Sequence, residues 1–159
     1  MLTPAWAQAR SEEQLKAAYL VNFLRYIEWP NNPASVTVCL FGRDALANNV
    51  MSYEGRTVGG RELRVRRISN VEQMQECHAL FIPENEENRL SVVFRTLNGY
   101  PVLTVSDIEN FAQRGGAIGL VRAPSNLQFD VNADIMQRLG LRPNLQMLRL
   151  ARQVVGSPW

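Results

Sequence analysis

The chain has 159 residues, 46% of them hydrophobic and 20% charged, with a formal net charge of +2; that length fits one domain burying roughly two-thirds of its unfolded-state surface. No apolar run approaches the roughly 20 residues a transmembrane helix needs, which argues against direct membrane insertion. Lys16 is the only lysine among seventeen basic residues, and the arginines are scattered among fifteen acids, densest at Arg61, Arg64, Arg66 and Arg67; nucleic-acid binding would want them clustered with exposed aromatics.

The stretch Ala5-Trp6-Ala7-Gln8-Ala9 has the small-x-small character of the cleavage end of a secretory signal peptide. Residues 1–9 are therefore read as the residual end of such a signal and 10–159 as a single domain, an Ala-rich tail being the plainer alternative. Ser11-Glu12-Glu13-Gln14 fits a helix cap with a capping-box Gln, and Leu15, Ala18, Tyr19, Asn22, Phe23, Tyr26 and Ile27 follow at helical spacing. Leu20, Val21 and Leu24 make the other side apolar too, so this helix is buried on more than one side. Trp29-Pro30 ends it, because the residue before a proline is pushed out of the helical region.

Val36-Thr37-Val38-Cys39-Leu40-Phe41 reads as a buried strand closed by Gly42, followed by a helix over 44–52. Arg56-Thr57-Val58, Gly59-Gly60 and Glu62 to Arg66 suggest a hairpin. Its second arm alternates apolar with charged residues, as an edge strand with a wet face does. A short helix over 71–76, a buried strand over 78–82 stopped by Pro83, a helix over 88–97 and a strand over 102–105 continue the alternation. Strands over 117–121 and 127–131 then read as an antiparallel hairpin, and helices over 133–139 and 144–155, divided by Gly140-Leu141-Arg142-Pro143, close the chain. The fold class that follows is α/β: three layers, a mainly parallel central sheet with an antiparallel hairpin, and helices on both faces.

Catalytic chemistry finds little to work with. Acid–base and nucleophilic enzymes usually need a group titrating near neutrality, and His78 is the only histidine. A triad of His78, Ser106 and Asp107 lacks the strand–turn–helix elbow that exposes a nucleophile. Gly115-Gly116-Ala117-Ile118-Gly119 precedes a strand, whereas a phosphate-binding loop opens a helix, so these glycines read as a tight turn. A phosphoacceptor receiver would need a lysine after a late strand, and Lys16 lies in the first helix. Cys39, Cys77 and His78 lack a fourth ligand for zinc at recognisable spacing. If the strands bearing the two cysteines are neighbours, their separation of about 5 Å suits a disulfide; two buried free thiols are the alternative. No cofactor is implied.

In their order along the chain these segments resemble the YfiR family of periplasmic regulators. The resemblance rests on Lys16, Tyr19, Asn22-Phe23, Ile27 and Trp29-Pro30 in the first helix, on Val38-Cys39-Leu40-Phe41-Gly42, and on Cys77-His78-Ala79-Leu80-Phe81-Ile82. It continues in Val102 to Asp107, Phe111 with Gly115-Gly116 and Ile118, Phe129-Asp130-Val131-Asn132, and Leu148-Arg149-Leu150-Ala151. It implies a periplasmic protein that binds the periplasmic domain of an inner-membrane diguanylate cyclase and holds it inactive, lowering cyclic di-GMP and biofilm formation. It also implies relief by an OmpA/Pal-type outer-membrane lipoprotein that sequesters the repressor; whether the chain forms a homodimer stays open. The family's structural disulfide maps onto Cys39 and Cys77, while a second pair found in some relatives has no counterpart here.

The surface expected to meet a partner is the turn Leu141-Arg142-Pro143-Asn144 with Leu139 and Leu145, where apolar residues crowd a short connection. A rival reading is a small-molecule or nucleotide sensor at the carboxyl edge of the sheet, near Asp44, Ser106 and Asp107. A hydrolytic enzyme is the third.

Overall fold

The computed structural model describes residues 5–124 and 126–156, with side chains from residue 12 onward except at 125. Ten strands and five α-helices follow in the order α1 (Ala5–Arg25), β1 (Ile27–Glu28), β2 (Ser35–Phe41), α2 (Leu46–Met51), β3 (Thr57–Val58), β4 (Arg61–Ile68), β5 (Ala79–Ile82), α3 (Leu90–Leu97), β6 (Leu103–Ser106), β7 (Ile118–Arg122), β8 (Leu127–Asn132), α4 (Ala133–Arg138), β9 (Arg142–Pro143), α5 (Leu145–Leu150) and β10 (Gln153–Val155). One sheet has the order β10-β8-β7-β6-β5-β2-β4-β3, and β1 pairs separately with β9. β2 lies parallel to both β4 and β5, β6 is parallel to β5 and β7, and β7–β8 is the antiparallel hairpin. The three-layer α/β architecture read from the sequence is thus the one observed.

Alternation along the strands sends side chains into two cores. Val36, Val38 and Leu40 of β2 join Leu20, Phe23 and Leu24 of α1 on one face. Cys39 and Phe41 join Leu90, Val93 and Leu97 of α3 on the other. β5 and β6 are buried along their whole length; β5 is apolar throughout, and in β6 the alternating Thr104 and Ser106 satisfy their hydroxyls on the backbone N–H of Ala117 and Ile108. Gly59 and Gly60 turn β3 into β4 with φ of 59° and 82°, the left-handed pair that a two-residue hairpin of matching twist requires.

Four expectations need correction. β4, expected as an edge strand, lies between β2 and β3, and the two-residue β3 takes the edge instead. α1 runs through Ser11 from Ala5, so Ser11 is not a cap; the rest of the expected signal end, residues 1–4, lies outside the described residues. The helix also stops at Arg25, before Trp29-Pro30 acts, because Ile27–Glu28 is drawn into the ribbon with β9 and Asn144 N donates to Tyr26 O at 2.7 Å. Finally, the helix expected over 144–155 ends at Leu150. Ala151 turns extended (φ −65°, ψ 141°), Arg152 N donates to Phe129 O at 2.8 Å, and β-branched Val154 and Val155 pair with β8 as a parallel edge strand.

Candidate functional site

The turn direction of the sheet reverses at β2: the chain goes first to β4 and β3 on one side, then to β5 and β6 on the other. Open α/β sheets bind ligands in the crevice outside the strand carboxyl ends at such a reversal. Here that crevice is a cleft of about 450 Å³ lined by Glu13, Lys16, Asp44, Pro83, Glu84, Asn85, Asp107 and Arg122. Two of the three residues expected at this edge, Asp44 and Asp107, meet in it. Ser106 does not; it is fully buried and its Oγ accepts a hydrogen bond from Ile108 N at 2.9 Å, closing the turn after β6.

What the sequence did not disclose is Lys16. Its Nζ reaches across from α1 to Asp107 Oδ2 at 2.9 Å, with Glu12 and Glu13 each 3.8 Å away, and its side chain is only 6% exposed. Position in the first helix therefore does not keep this lysine from the sheet's edge. Arg122 Nε pairs with Glu12 at 2.6 Å. Burial alone would lower the lysine's pKa, but the hydrogen bond and charge of Asp107, helped by Glu13 and Glu12, hold it above the ordinary value. Glu13 is pushed up by burial, and by Asp44, Glu12 and Asp107 against the pull of Lys16. Asp44 is raised by burial and by Asp107, against the Leu46 amide and Lys16. Glu13 Oε2 and Asp107 Oδ1 are buried without a hydrogen-bond partner. The carboxylates thus outnumber the cations that face them.

A second polar lock ties down the last strand. Asp130, 3% exposed in its side chain, accepts two hydrogen bonds from Arg152, at 2.9 and 2.6 Å, and one from Gln113 at 3.1 Å. Burial would raise its pKa, but Arg152 and Gln113 together hold it below the ordinary value.

The disulfide links Cys39, inside β2, to Cys77, at the entrance to β5, with Cα atoms 6.0 Å apart. Both thiols are thereby removed as metal ligands. Next to it, His78 Nδ1 accepts from Thr37 N at 3.0 Å, and His78 O accepts from Trp29 Nε1 at 2.9 Å. His78 precedes the pair Ala79–Leu103, whereas Ser106 sits opposite Ile82 at the far end of the same strands, roughly 13 Å away along the sheet. The imagined triad is not assembled.

The partner surface expected at 139–145 divides on inspection. Leu141 is wholly buried and Leu139 packs half-buried against the core, whereas Arg142 and Asn144 are exposed and Leu145 is 65% exposed. Farther along α5, Leu150 is 67% exposed. Sequence reading included neither Leu150 nor the neighbouring helix in this surface. Two clefts of about 410 Å³ each flank α5, one lined by Arg25, Tyr26, Arg142 and Leu148, the other by Tyr19, Asn22, Phe129 and Met147; Tyr26 borders both.

Fold and site define an open α/β scaffold, cross-linked through its core, with an apolar shelf on one helix and a charged crevice at the sheet edge. The sequence model of the YfiR/HmsC-like family matches residues 13–152, and the chain belongs to that family. Two solved structures share the fold. The ABC domain in complex with L-Trp from Streptococcus pneumonia has a TM-score of 0.59 at 10% identity, over 90% of this chain and 60% of that one. A conserved domain protein from Vibrio cholerae O1 biovar El Tor strain N16961 has a TM-score of 0.61 at 8% identity, over 89% and 60%. This chain therefore spans about three-fifths of each, and at such identities the likeness concerns architecture alone. Among the described residues no helix is long and apolar enough to cross a membrane.

Proposed function

We propose that this chain is a periplasmic repressor that binds the periplasmic domain of an inner-membrane diguanylate cyclase and restrains cyclic di-GMP synthesis and biofilm formation. Family membership supports the regulatory reading. The observation that carries the docking reading is the apolar shelf of α5, where Leu145 and Leu150 are the two most exposed large hydrophobic residues among those described. Leucines held two-thirds open on a tightly packed molecule are what a binding surface displays. The surface comprises Leu139, Arg142, Pro143, Asn144 and Leu145, extended to Leu148 and Leu150. Repression is stoichiometric: the bound chain favours the inactive cyclase, and sequestration by an OmpA/Pal-type lipoprotein would release it. No chemistry by this chain is required.

Deleting the gene should raise cellular cyclic di-GMP, and the wild-type chain should restore it. The double variant Leu145→Ser/Leu150→Ser should fail to restore it while melting at the wild-type temperature, since both side chains already face water. Full restoration by that variant would remove the α5 shelf from the mechanism.

A second reading, a small-molecule sensor, is favoured by the crevice at the sheet reversal, with its unpartnered Glu13 and Asp107 oxygens. Saturable thermal stabilisation by one member of a nucleotide and amino-acid panel would support it.

A further inference from the structure

The α5 shelf does not stand alone. The two clefts beside it adjoin at Tyr26, which lines both, so the groove along α5 has two parts: Leu145 and Leu148 open on the part that holds Arg25 and Arg142, and Leu150 opens on the part lined by Phe129 and Met147. Its charge is one-sided. Beyond Asp134 the sequence has four arginines and no acidic residue, and among the described residues only Arg152 of these is paired, to Asp130. Arg142 and Arg149, with Arg25 from α1, are exposed and have no ion-pair or hydrogen-bond partner among the described residues. The single acid at the groove is Glu28; it stands opposite Arg142 in the β1–β9 ribbon without closing an ion pair. Arg25 and Arg142 thus line the cleft that holds Leu145 and Leu148, and Arg149 stands exposed on α5 between Leu148 and Leu150. They are placed to pair with carboxylates of whatever lies in the groove.

We propose that this groove takes an acidic amphipathic helix of the partner protein, its apolar face on Leu145, Leu148 and Leu150 and its carboxylates between Arg25, Arg142 and Arg149. The proposal rests on the docking reading above and adds the chemistry of the partner segment. A helix suits the site because the groove runs between helices, whereas an added strand would seek the open edge of β10. A basic or uncharged amphipathic helix would meet the same leucines without the pairing, so charge is what selects among apolar partners.

The test uses two synthetic 18-residue helical peptides with identical leucine faces, one with glutamate and one with lysine at every polar position. Fluorescence anisotropy is read against the whole chain. The glutamate peptide should bind saturably and at least about tenfold more tightly than the lysine peptide, and its affinity should fall as salt rises. Arg25→Ala/Arg142→Ala/Arg149→Ala should abolish that preference, and Leu145→Ser/Leu150→Ser should weaken both peptides. Equal affinities, no binding of the glutamate peptide, or a preference that survives the arginine triple variant would each overturn the proposal. Failure of the docking reading shows elsewhere, as full repression by Leu145→Ser/Leu150→Ser in cells. Conversely, lost repression in that variant with no charge preference in the peptides would leave the docking reading standing and refute the acidic helix.

Discussion

At the scale of single residues, His78 and the carboxylates around Lys16 give the molecule two opposed responses to acid. His78 Nδ1 can accept from Thr37 N only while the imidazole is neutral, with its proton on Nε2. Burial, and then the charge of Arg61, hold its pKa below the ordinary 6.5. The unfolded chain therefore takes up this proton first, so the stability His78 contributes is present above about pH 6.5 and is lost as pH falls toward and through the folded pKa. Glu13 and Asp44 act in the opposite sense, since their raised values let the folded chain take up protons first and lose stability as pH rises through those values. Comparison of variant with parent isolates the histidine. Asn at position 78 offers an amide oxygen to Thr37 N and does not titrate. Between pH 7 and pH 5 the parent should lose about 3 °C of melting temperature more than His78→Asn, from a hydrogen bond worth about 1 kcal/mol. Parallel pH profiles for the two would show that this contact does not govern acid stability.

Among elements, β10 shows how a distant residue overrides local pattern. From Asn144 onward the sequence keeps helical periodicity, and nothing near Ala151 announces a strand. The decision is made by Asp130, buried in β8, which holds Arg152 in a bidentate pair and so draws the following residues into register with Asp130, Val131 and Asn132. Lys16 was obscured in the same way: its partner Asp107 lies 91 residues away, and only the packed fold reveals that they meet. By contrast, β2, β5 and β6 were legible because a mostly buried strand shows as a short run rich in apolar, β-branched residues, unbroken in β5 and interrupted only by Thr37 in β2 and by Thr104 and Ser106 in β6. Cys39 and Cys77 were legible as a pair for a similar reason, since each sits on or beside one of those strands. At the surface expected to meet a partner, the leucines are visible in the sequence, but that Leu141 is buried and Leu145 faces water shows only in the packed fold. If Asp130 fixes β10, Arg152→Ala should cost about 2 kcal/mol, less than a wholly buried pair because Arg152 is itself half in water. Amide exchange at Val154 and Val155 should rise well before exchange in β8 does. Unchanged protection there would mean that backbone pairing alone holds the strand.

For the molecule as a whole, the disulfide and the α5 shelf sit on different layers, and that separation makes two kinds of failure distinguishable. Cys39 and Cys77 lie in the α3-side core, whereas Leu145 and Leu150 project from the α1 side, so removing the bond leaves the docking chemistry untouched. Cross-linking residues 38 apart in sequence stabilises the chain by about 4 kcal/mol in the chain-entropy model. That is a large share of the 5–15 kcal/mol typical of a domain. Cys39→Ser/Cys77→Ser should therefore lower the steady-state amount of folded chain rather than its affinity. A stoichiometric repressor that is merely scarce can be restored by making more of it; one with a damaged surface regains much less from the same increase. Raising expression of the cysteine variant until its folded level matches wild type should bring cyclic di-GMP back down. The same increase for Leu145→Ser/Leu150→Ser should leave it high. If matched levels of folded cysteine variant fail to repress, the bond shapes the binding surface itself, and the layers are coupled through β2, the one strand that joins Cys39 on one face to the α1 packing of Val38 and Leu40 on the other.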